Sequence, residues 1–148
     1  MLIRQYLESD IDAVVEVFRS NIPKYFGSSE ETGLRDYLSD LSEHYYVIEI
    51  DGKVVGAGGI ALNDDDTVSL CWGMVHRDHL GTGLGRLLTE YRIERSLDVF
   101  GQKPLVTSTS QHTEGFYQKF GFVTVEHTPD GFGPGIDICK MRRDPPQH

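Results

Sequence analysis

The segment from Leu70 to Arg92 constrains the fold most strongly, because its pattern predicts a strand that passes through closely spaced glycines into a helix. Bulky apolar residues dominate Leu70–His76, as expected for a buried strand. After a short polar connection, apolar residues recur at the spacing of one helical face, at Leu84, Leu87, Leu88 and Tyr91. The fold must therefore place a helix N-terminus near the end of a strand.

Three glycines, Gly81, Gly83 and Gly85, lie at this junction. Glycine lets backbone N–H groups approach a ligand without an intervening Cβ, and the first turn of a helix favours an anion, usually a phosphate. The same glycines are equally expected in a tight turn that requires positive φ. The loop lacks both the Gly-Lys-Ser/Thr ending of a P-loop and the Gly-x-Gly-x-x-Gly spacing of a dinucleotide-binding turn.

Composition and charge exclude several classes of protein. The chain of 148 residues suits one domain, and its 39% hydrophobic and 25% charged residues are ordinary for a globular protein. A net charge of −9 argues against a nucleic-acid partner. No apolar run approaches the roughly 20 residues that cross a bilayer, and the N-terminus lacks a signal-peptide pattern, so we expect a cytoplasmic protein without a membrane partner.

Cysteines and histidines indicate neither a disulfide nor a metal site. Cys71 and Cys139 each lie in an apolar run without a Cys-x-x-Cys partner, which predicts buried free thiols in a reducing compartment. The six histidines show no metal-ligand spacing with the cysteines or with one another, so we expect no metal cofactor.

The rest of the chain predicts alternating strands and helices. Strands are expected over 1–5, 45–50, 54–62, 67–76, 105–109, 122–127 and 136–141. Helices are expected from 9 to about 20, after 28 with apolar positions up to 41, from the glycine loop to about 100, and over 113–120. Residues 128–134 are predicted to be a Pro/Gly loop, and 142–148 a flexible C-terminal tail that follows a single domain over 1–141.

Local signals support these elements. Ser9 with Asp12, and Ser28 with Glu31, resemble capping boxes at the starts of the first two helices. Asp51-Gly52 predicts a tight hairpin turn, and the glycines of the strand that follows predict a bulge or a close backbone approach. The aromatic loop 24–27 is interpreted as a surface link with one ring packed into the core.

The glycine loop resembles the acetyl-CoA loop of the GCN5-related N-acetyltransferase (GNAT) family, in which Gln/Arg-x-x-Gly-x-Gly/Ala holds the pyrophosphate of coenzyme A through backbone amides. Gly83 and Gly85 match the two small positions, whereas Leu80 replaces the usual Gln or Arg. The resemblance implies that the cofactor acetyl-CoA binds at this loop, through Leu80, Gly81, Thr82, Gly83, Leu84, Gly85 and Arg86. It also implies contacts from the backbone of Met74 and Val75, where a gap between parallel strands admits the pantetheine arm.

A second segment, Phe116–Phe122, is similar to the other signature of that family, an aromatic pair followed by a short turn and Gly-Phe. The match implies that Tyr117 is the general acid. A phenol can protonate a departing thiolate without being ionised at neutral pH. The alternative is that Tyr117 only packs in the core. Ser110 stands seven residues earlier, where many members carry an Asn that contacts the pantetheine arm, and Ser110 is expected to do so here.

An antiparallel meander that leads into a parallel α/β crossover is the layout of the same family. We therefore expect an α/β fold with a mixed sheet of about seven strands, flanked by about four helices.

The resemblance implies an enzyme that transfers acetyl from acetyl-CoA to a primary amine by direct attack in a ternary complex, with a small molecule as the expected acceptor. The alternatives are a catalytically degenerate acyl-CoA-binding sensor and a nucleotide-phosphate binder, and a homodimer remains open. The loop Lys24–Gly27 and the acids Glu30, Glu31 and Asp36 lie where the family shapes its acceptor pocket. His76, Glu43, Glu31 and a water chain remain alternatives for the general base.

Overall fold

The computed structural model describes residues 1–40 and 42–146. These residues form one seven-stranded mixed sheet with four α-helices, as expected from the sequence. The strands are β1 (Leu2–Gln5), β2 (Tyr45–Ile50), β3 (Lys53–Leu62), β4 (Val68–Val75), β5 (Leu105–Thr109), β6 (Val123–Gly133) and β7 (Ile136–Arg143). The helices are α1 (Ile11–Ser20), α2 (Glu31–Asp40), α3 (Leu84–Phe100) and α4 (Glu114–Gln118).

The sheet has the order β1-β2-β3-β4-β5-β7-β6, and among the described residues only β4 and β5 pair in parallel. This parallel pairing involves just Val68 with Leu105 and Ser69 with Val106. The two strands therefore diverge beyond Ser69, which leaves one side of β4 without a neighbouring strand. The crossover and the Asp51-Gly52 hairpin turn between β2 and β3 are confirmed.

A bulge lies opposite Gly58 of β3, as the glycines of that strand predict. Ala57 pairs with Met74 and Gly59 with Cys71, so Trp72 and Gly73 of β4 together face Gly58. The extra residue is in β4, and Trp72 takes a left-handed φ of 45° there. A bulge re-aims the side chains of its strand. Here the bulge lies in the part of β4 that no longer pairs with β5.

Helix α3 buries a different face from the one predicted. Leu84 and Leu88 are buried, but the other buried residues of this face are polar. Leu87 and Tyr91, which were predicted to be on the buried face, are only half-buried. The buried polar positions are Thr89, Arg92 and Ser96. The physical reason is that glycines of β3 and β4 lie beneath this part of the helix and leave space for a long side chain.

The first two helices begin differently from the prediction. The Asp10 carboxylate accepts a hydrogen bond from the Leu7 amide at 2.8 Å, and Glu30 accepts one from the Gly27 amide at 2.8 Å. In each case a carboxylate at the third position of a short 3₁₀ turn caps the turn that leads into the helix. Ser9 and Ser28 make no such bond, so the predicted capping boxes were misplaced.

The C-terminal hairpin is longer than predicted. Residues expected to form a loop over 128–134 lie mostly in β6, which extends to Gly133. Pro129 is tolerated there because β6 is the edge strand and its pairing with β7 shifts between Thr128 and Gly133, so Pro129 lies in a bulge. Strand β7 continues to Arg143, so the start of the predicted tail belongs to the sheet. Leu41 and residues 147–148, for which a helical position and a flexible end were predicted, lie outside the described residues.

Apolar side chains cover both faces of the sheet. One cluster joins α1 and α2 to the sheet, and others lie under α3 and α4. Among the described residues, no helix combines the length and apolar character that a membrane crossing requires.

Candidate active site

A cavity of about 860 Å³ occupies the gap where β4 and β5 diverge. This volume lies in the range of small-molecule sites. Its walls come from the segment between α1 and α2, from β4, from the glycine loop and first turns of α3, from β5, from α4 and from the β6–β7 hairpin. The predicted loop, the diverging strands and the predicted acid therefore meet in one cleft.

The glycine loop lies at one end of this cleft. Gly81 and Gly83 have φ values of 79° and 89°, a region that favours glycine, and Gly83 is the residue that precedes α3. The first helical turn leaves its amides without intrahelical acceptors, so they are available to an anion. The hydroxyl of Thr82 donates to the carbonyl oxygen of His79, which closes the loop on itself.

Two side chains of the loop point to solvent. Leu80, which stands where a polar residue was expected, is 44% exposed. The Nε atom of Arg86 lies 2.9 Å from a carboxylate oxygen of Glu90, one turn further along α3. The chain therefore offers backbone amides to an anion at this loop, together with the partly neutralised charge of Arg86.

Met74 and Val75 line the cleft, but their backbone groups point in opposite directions. The carbonyl oxygen of Met74 faces β3, since a Cβ added to Gly56 would lie 3.2 Å from it. Polar backbone groups alternate sides along a strand, so those of Val75 face the gap. The Val75 carbonyl accepts from the Asn21 side chain at 2.9 Å, which leaves the Val75 amide as the available group.

Tyr117 lies on α4 and reaches the cleft from the opposite wall. Only 7% of it is exposed, and its ring packs edge-on against Phe116 and Phe122. Its hydroxyl oxygen accepts a hydrogen bond from Nη2 of Arg92 at 3.2 Å. Ser110, nearby, accepts through its hydroxyl from the His112 amide at 3.2 Å. Both predicted side chains are thus at the cleft, and both are engaged in local hydrogen bonds.

Arg92 was missed by the sequence analysis. It is 1% exposed and is among the largest fully buried side chains of the described residues. The helical pattern placed an apolar face on α3, and an arginine on a helix is usually solvated. The available signal was its position four residues after Leu88, on the face that α3 buries.

The matching family model is described as the acetyltransferase (GNAT) family, and it covers residues 11–122. The chain belongs to this family. This membership confirms the expected fold and the expected class of enzyme, an acetyltransferase.

Solved structures agree with this GNAT fold. An aminoglycoside 6'-N-acetyltransferase complexed with coenzyme A is 16% identical, with 100% and 99% of the two chains covered and a TM-score of 0.77. YncA from Salmonella typhimurium, solved with its cofactor acetyl-CoA, is 21% identical, with coverage of 100% and 95% and a TM-score of 0.74. The ribosomal-protein-S18-alanine N-acetyltransferase of Escherichia coli is 19% identical, with coverage of 99% and 95% and a TM-score of 0.79.

The other end of the cleft of this GNAT protein is aromatic and contains one carboxylate from the segment between α1 and α2. Phe26 packs against Phe18 at 5.3 Å and Trp72 at 6.1 Å between ring centroids, which confirms the expected packing of one ring. Tyr25, Glu30 and Phe132 also line this end. Burial raises the pKa of the Glu30 carboxyl above its usual value, although the hydrogen bond from the Gly27 amide partly offsets this.

The predicted general bases lie elsewhere. Glu31 forms ion pairs with Arg19 at 2.7 Å and Arg35 at 3.2 Å, and the Glu43 side chain is 87% exposed. Nδ1 of His76 accepts a hydrogen bond from the Asp78 amide. Among the described residues that line the cleft, none is Glu31, Glu43 or His76. Asp36 is exposed on α2 and does not line it either.

Proposed function

We propose that this protein transfers the acetyl group of acetyl-CoA to a primary amine of a small molecule, by direct attack in a ternary complex. The observation that carries the proposal is the continuity of one cleft. It runs from the first turn of α3, along the open side of β4 and past the Tyr117 hydroxyl, into an aromatic chamber with a single carboxylate.

Acetyl-CoA would occupy the half of the cleft nearest α3. Its pyrophosphate would accept hydrogen bonds from the amides of the first turn, where the helix dipole favours negative charge. The pantetheine arm would lie in the gap between β4 and β5 and pair with the Val75 amide like an additional strand. Ser110 and Tyr117 would flank this arm from the opposite wall.

Acyl transfer requires one bond to form and one to break. The uncharged amine nitrogen attacks the thioester carbonyl carbon, and the electrons of the broken C–S bond pass to sulfur. The sulfur takes the proton of the Tyr117 hydroxyl, while the amine gives up a proton to a base or to water. Tyr117 then recovers a proton from solvent. The cleft contributes mainly by holding the two reactants together.

Glu30 is the acid best placed to handle the acceptor amine. It is the carboxylate that the segment between α1 and α2 contributes to the cleft, and its raised pKa makes it a better base than an exposed glutamate. The rings of Phe26 and Trp72 can cover the carbon chain of an amine, while the carboxylate binds or deprotonates its nitrogen. This arrangement supports a compact amine as the acceptor.

An acyl-enzyme route through Cys71 is disfavoured. Cys71 lines the cleft as a free thiol, but burial raises its pKa, and the thiolate rather than the thiol is the nucleophile. A hydroxyl or thiol without activation is a weak nucleophile. We therefore favour direct attack by the amine over two successive acetyl transfers through Cys71.

A catalytically degenerate acyl-CoA-binding sensor is the second candidate function, favoured by Leu80 in place of the usual Gln or Arg and by Ser110 in place of the usual Asn. The Tyr117 hydroxyl, held at the cleft by Arg92, favours turnover. The two functions differ in one measurable property, the steady release of coenzyme A in the presence of an amine.

The test is a panel of acceptors that follows free thiol released from acetyl-CoA. The panel contains small primary amines, aminoglycosides and peptides with free N-termini. We expect sustained release with at least one small amine and little with peptides. A peptide as the best acceptor would refute the small-molecule assignment, and tight coenzyme A binding without turnover on any acceptor would favour the sensor.

We also propose a cytoplasmic location. Cys71 and Cys139 are both free thiols, which is usual in a reducing compartment. Fractionation of cells that express the protein tests this, and recovery from an oxidising compartment would contradict it.

A further inference from the structure

Arg92 occupies a buried space between α3 and the sheet that two glycines leave open. Its side chain crosses from α3 to the sheet and lies against the bulge of β4. A Cβ added to Gly73 would lie 2.6 Å from Nη2 of Arg92, and one added to Gly58 would lie 3.1 Å from its Cδ. Two positions without side chains, on neighbouring strands, therefore make room for this one guanidinium.

The guanidinium is poorly compensated for a buried charge. Its Nε and Nη1 atoms are buried and have no hydrogen-bond partner in the part of the chain that the structure describes. Arginine remains protonated in proteins, and removing its charge from water without a counter-ion is costly. Replacement of buried charges by apolar side chains of similar volume is often neutral or stabilising. Arg92 is therefore a poor choice for fold stability alone.

The contact that Arg92 makes determines the orientation of a hydroxyl. Arginine has only donors, so the oxygen of Tyr117 must accept the hydrogen bond from Nη2 at 3.2 Å. A phenol has a single proton, and this proton cannot point toward Arg92. The Tyr117 hydroxyl lies at the cleft wall, so its proton is left free to point into the cleft.

We propose that Arg92 is a positioning residue that fixes Tyr117 as a hydrogen-bond donor toward the departing sulfur. This inference rests on the acetyl transfer and the acid role of Tyr117 proposed above. Arg92 also lines the cleft, and the role inferred here acts through the Tyr117 hydroxyl. The two residues are 25 positions apart, on α3 and α4. They are brought together by the glycines that admit Arg92 to the sheet.

The test compares Arg92→Met, Arg92→Lys, Tyr117→Phe and the double variant Arg92→Met/Tyr117→Phe. Methionine is a shorter, unbranched side chain without charge or donors, and lysine keeps the charge and remains donor-only. For each variant, kcat, the KM for acetyl-CoA and the thermal midpoint are measured with the acceptor found by the panel.

We expect Arg92→Met to lower kcat at least about tenfold, since general acid catalysis contributes about 10²–10⁴-fold and part of it is lost when the acid is misoriented. The KM for acetyl-CoA and the thermal midpoint should stay near the wild-type values. Arg92→Lys should recover most of the rate. The double variant should be no slower than Tyr117→Phe, because a residue that acts through the hydroxyl has no effect once the hydroxyl is gone.

Three outcomes would overturn the inference. The first is a wild-type kcat in Arg92→Met while Tyr117→Phe is slow. The second is a double variant in which the two losses of kcat multiply. The third is a thermal midpoint of Arg92→Met lowered by more than about 5 °C, which would assign Arg92 to the fold. Wild-type kcat in Tyr117→Phe would overturn the acid role as well. A lack of turnover in the wild-type protein would refute the proposed function before any variant is compared.

Discussion

One half of the cleft is formed mainly by backbone groups and the other half mainly by side chains. The half near α3 consists largely of backbone, namely the glycine loop, the first helical turn and the unpaired side of β4. The half near α1 and α2 consists of side chains, namely Phe26, Glu30, Trp72 and Phe132, which come from three separate parts of the chain. A backbone-built site recognises a group common to many substrates, whereas a side-chain-built site distinguishes among them. We therefore assign a general donor to the first half and selectivity for the acceptor to the second.

The largest effect should come from a charge placed in the backbone-built half. Gly83→Asp should abolish acetyl-CoA binding, since it adds a negative charge beside the expected pyrophosphate. Gly83→Asn is the matched control, because Asn has the same size and also tolerates the left-handed φ of 89°. Calorimetry on both folded variants measures the difference. Equal affinity in Gly83→Asp and wild type would show that the loop does not bind the cofactor.

Removal of the Tyr117 hydroxyl should affect chemistry and leave donor binding almost unchanged. Tyr117→Phe keeps the ring packed against Phe116 and Phe122 but removes the proton donor. We expect kcat to fall by about 10²–10⁴-fold, with little change in the affinity for coenzyme A. Steady-state and single-turnover rates separate chemistry from product release. A variant that keeps more than about half of the single-turnover rate would assign Tyr117 to packing.

A smaller and acceptor-specific effect is expected in the side-chain-built half. Glu30→Gln should lower kcat/KM for the amine by about 10- to 100-fold, at or below the lower end of general base catalysis, while acetyl-CoA binding stays intact. Asp36→Asn, an exposed acid outside the cleft, is the control for net charge. Equal effects of both variants would mean that only the overall charge of the protein matters.

The pH dependence of the same variants sharpens this assignment. In the proposed mechanism the ionised form of Glu30 is the active base, and burial raises its pKa, so activity should fall as pH decreases through a value above that of an ordinary glutamate. Stability should change in the opposite direction. A carboxyl whose pKa is raised by folding stabilises the protein below its unfolded pKa, and this stabilisation is lost as pH rises through the folded value. Thermal midpoints and rates of Glu30→Gln against pH test both signs.

The smallest effect is expected for Cys71, which lines the cleft between the two halves. Cys71→Ala should change kcat by less than about threefold, because its raised pKa keeps the thiol protonated and the amine attacks the thioester directly. Rapid-quench analysis of wild type with acetyl-CoA alone provides a second measurement. An acetylated protein, or a large loss of rate in Cys71→Ala, would replace direct attack with an acyl-enzyme route.

The contrast between the backbone-built and side-chain-built halves of the cleft explains how much of the molecule the sequence could predict. Glycines at 81, 83 and 85 and the strand–helix junction are local features, so the fold and the position of the glycine loop follow from short segments. The acceptor half depends on which side chains meet after folding. Glu31 and Asp36 have the same chemistry as Glu30, but α2 directs Glu31 to Arg19 and Asp36 to solvent. No local pattern separates these three carboxylates.

The remaining errors have a common physical origin. Arg92 was missed because the space that admits its side chain is left by Gly58 of β3 and Gly73 of β4, which are distant from α3 in the sequence. The segment predicted to be a loop over 128–134 lies mostly in the edge strand β6, which accommodates Pro129 where its pairing with β7 shifts, and a single sequence does not reveal an edge. In both cases tertiary context overrides a local preference.

The long β6–β7 hairpin brings Phe132 to the acceptor end of the cleft, where the Phe132 carbonyl lies close to Gly27. Strand β6 is the outermost strand and pairs with β7 in the part of the chain that the structure describes. Insertions or deletions near its tip would reshape the mouth of the acceptor chamber without disturbing β4, β5 or α3. We therefore expect changes in the length of this hairpin to alter which acceptor is used and to leave the transfer chemistry unaltered.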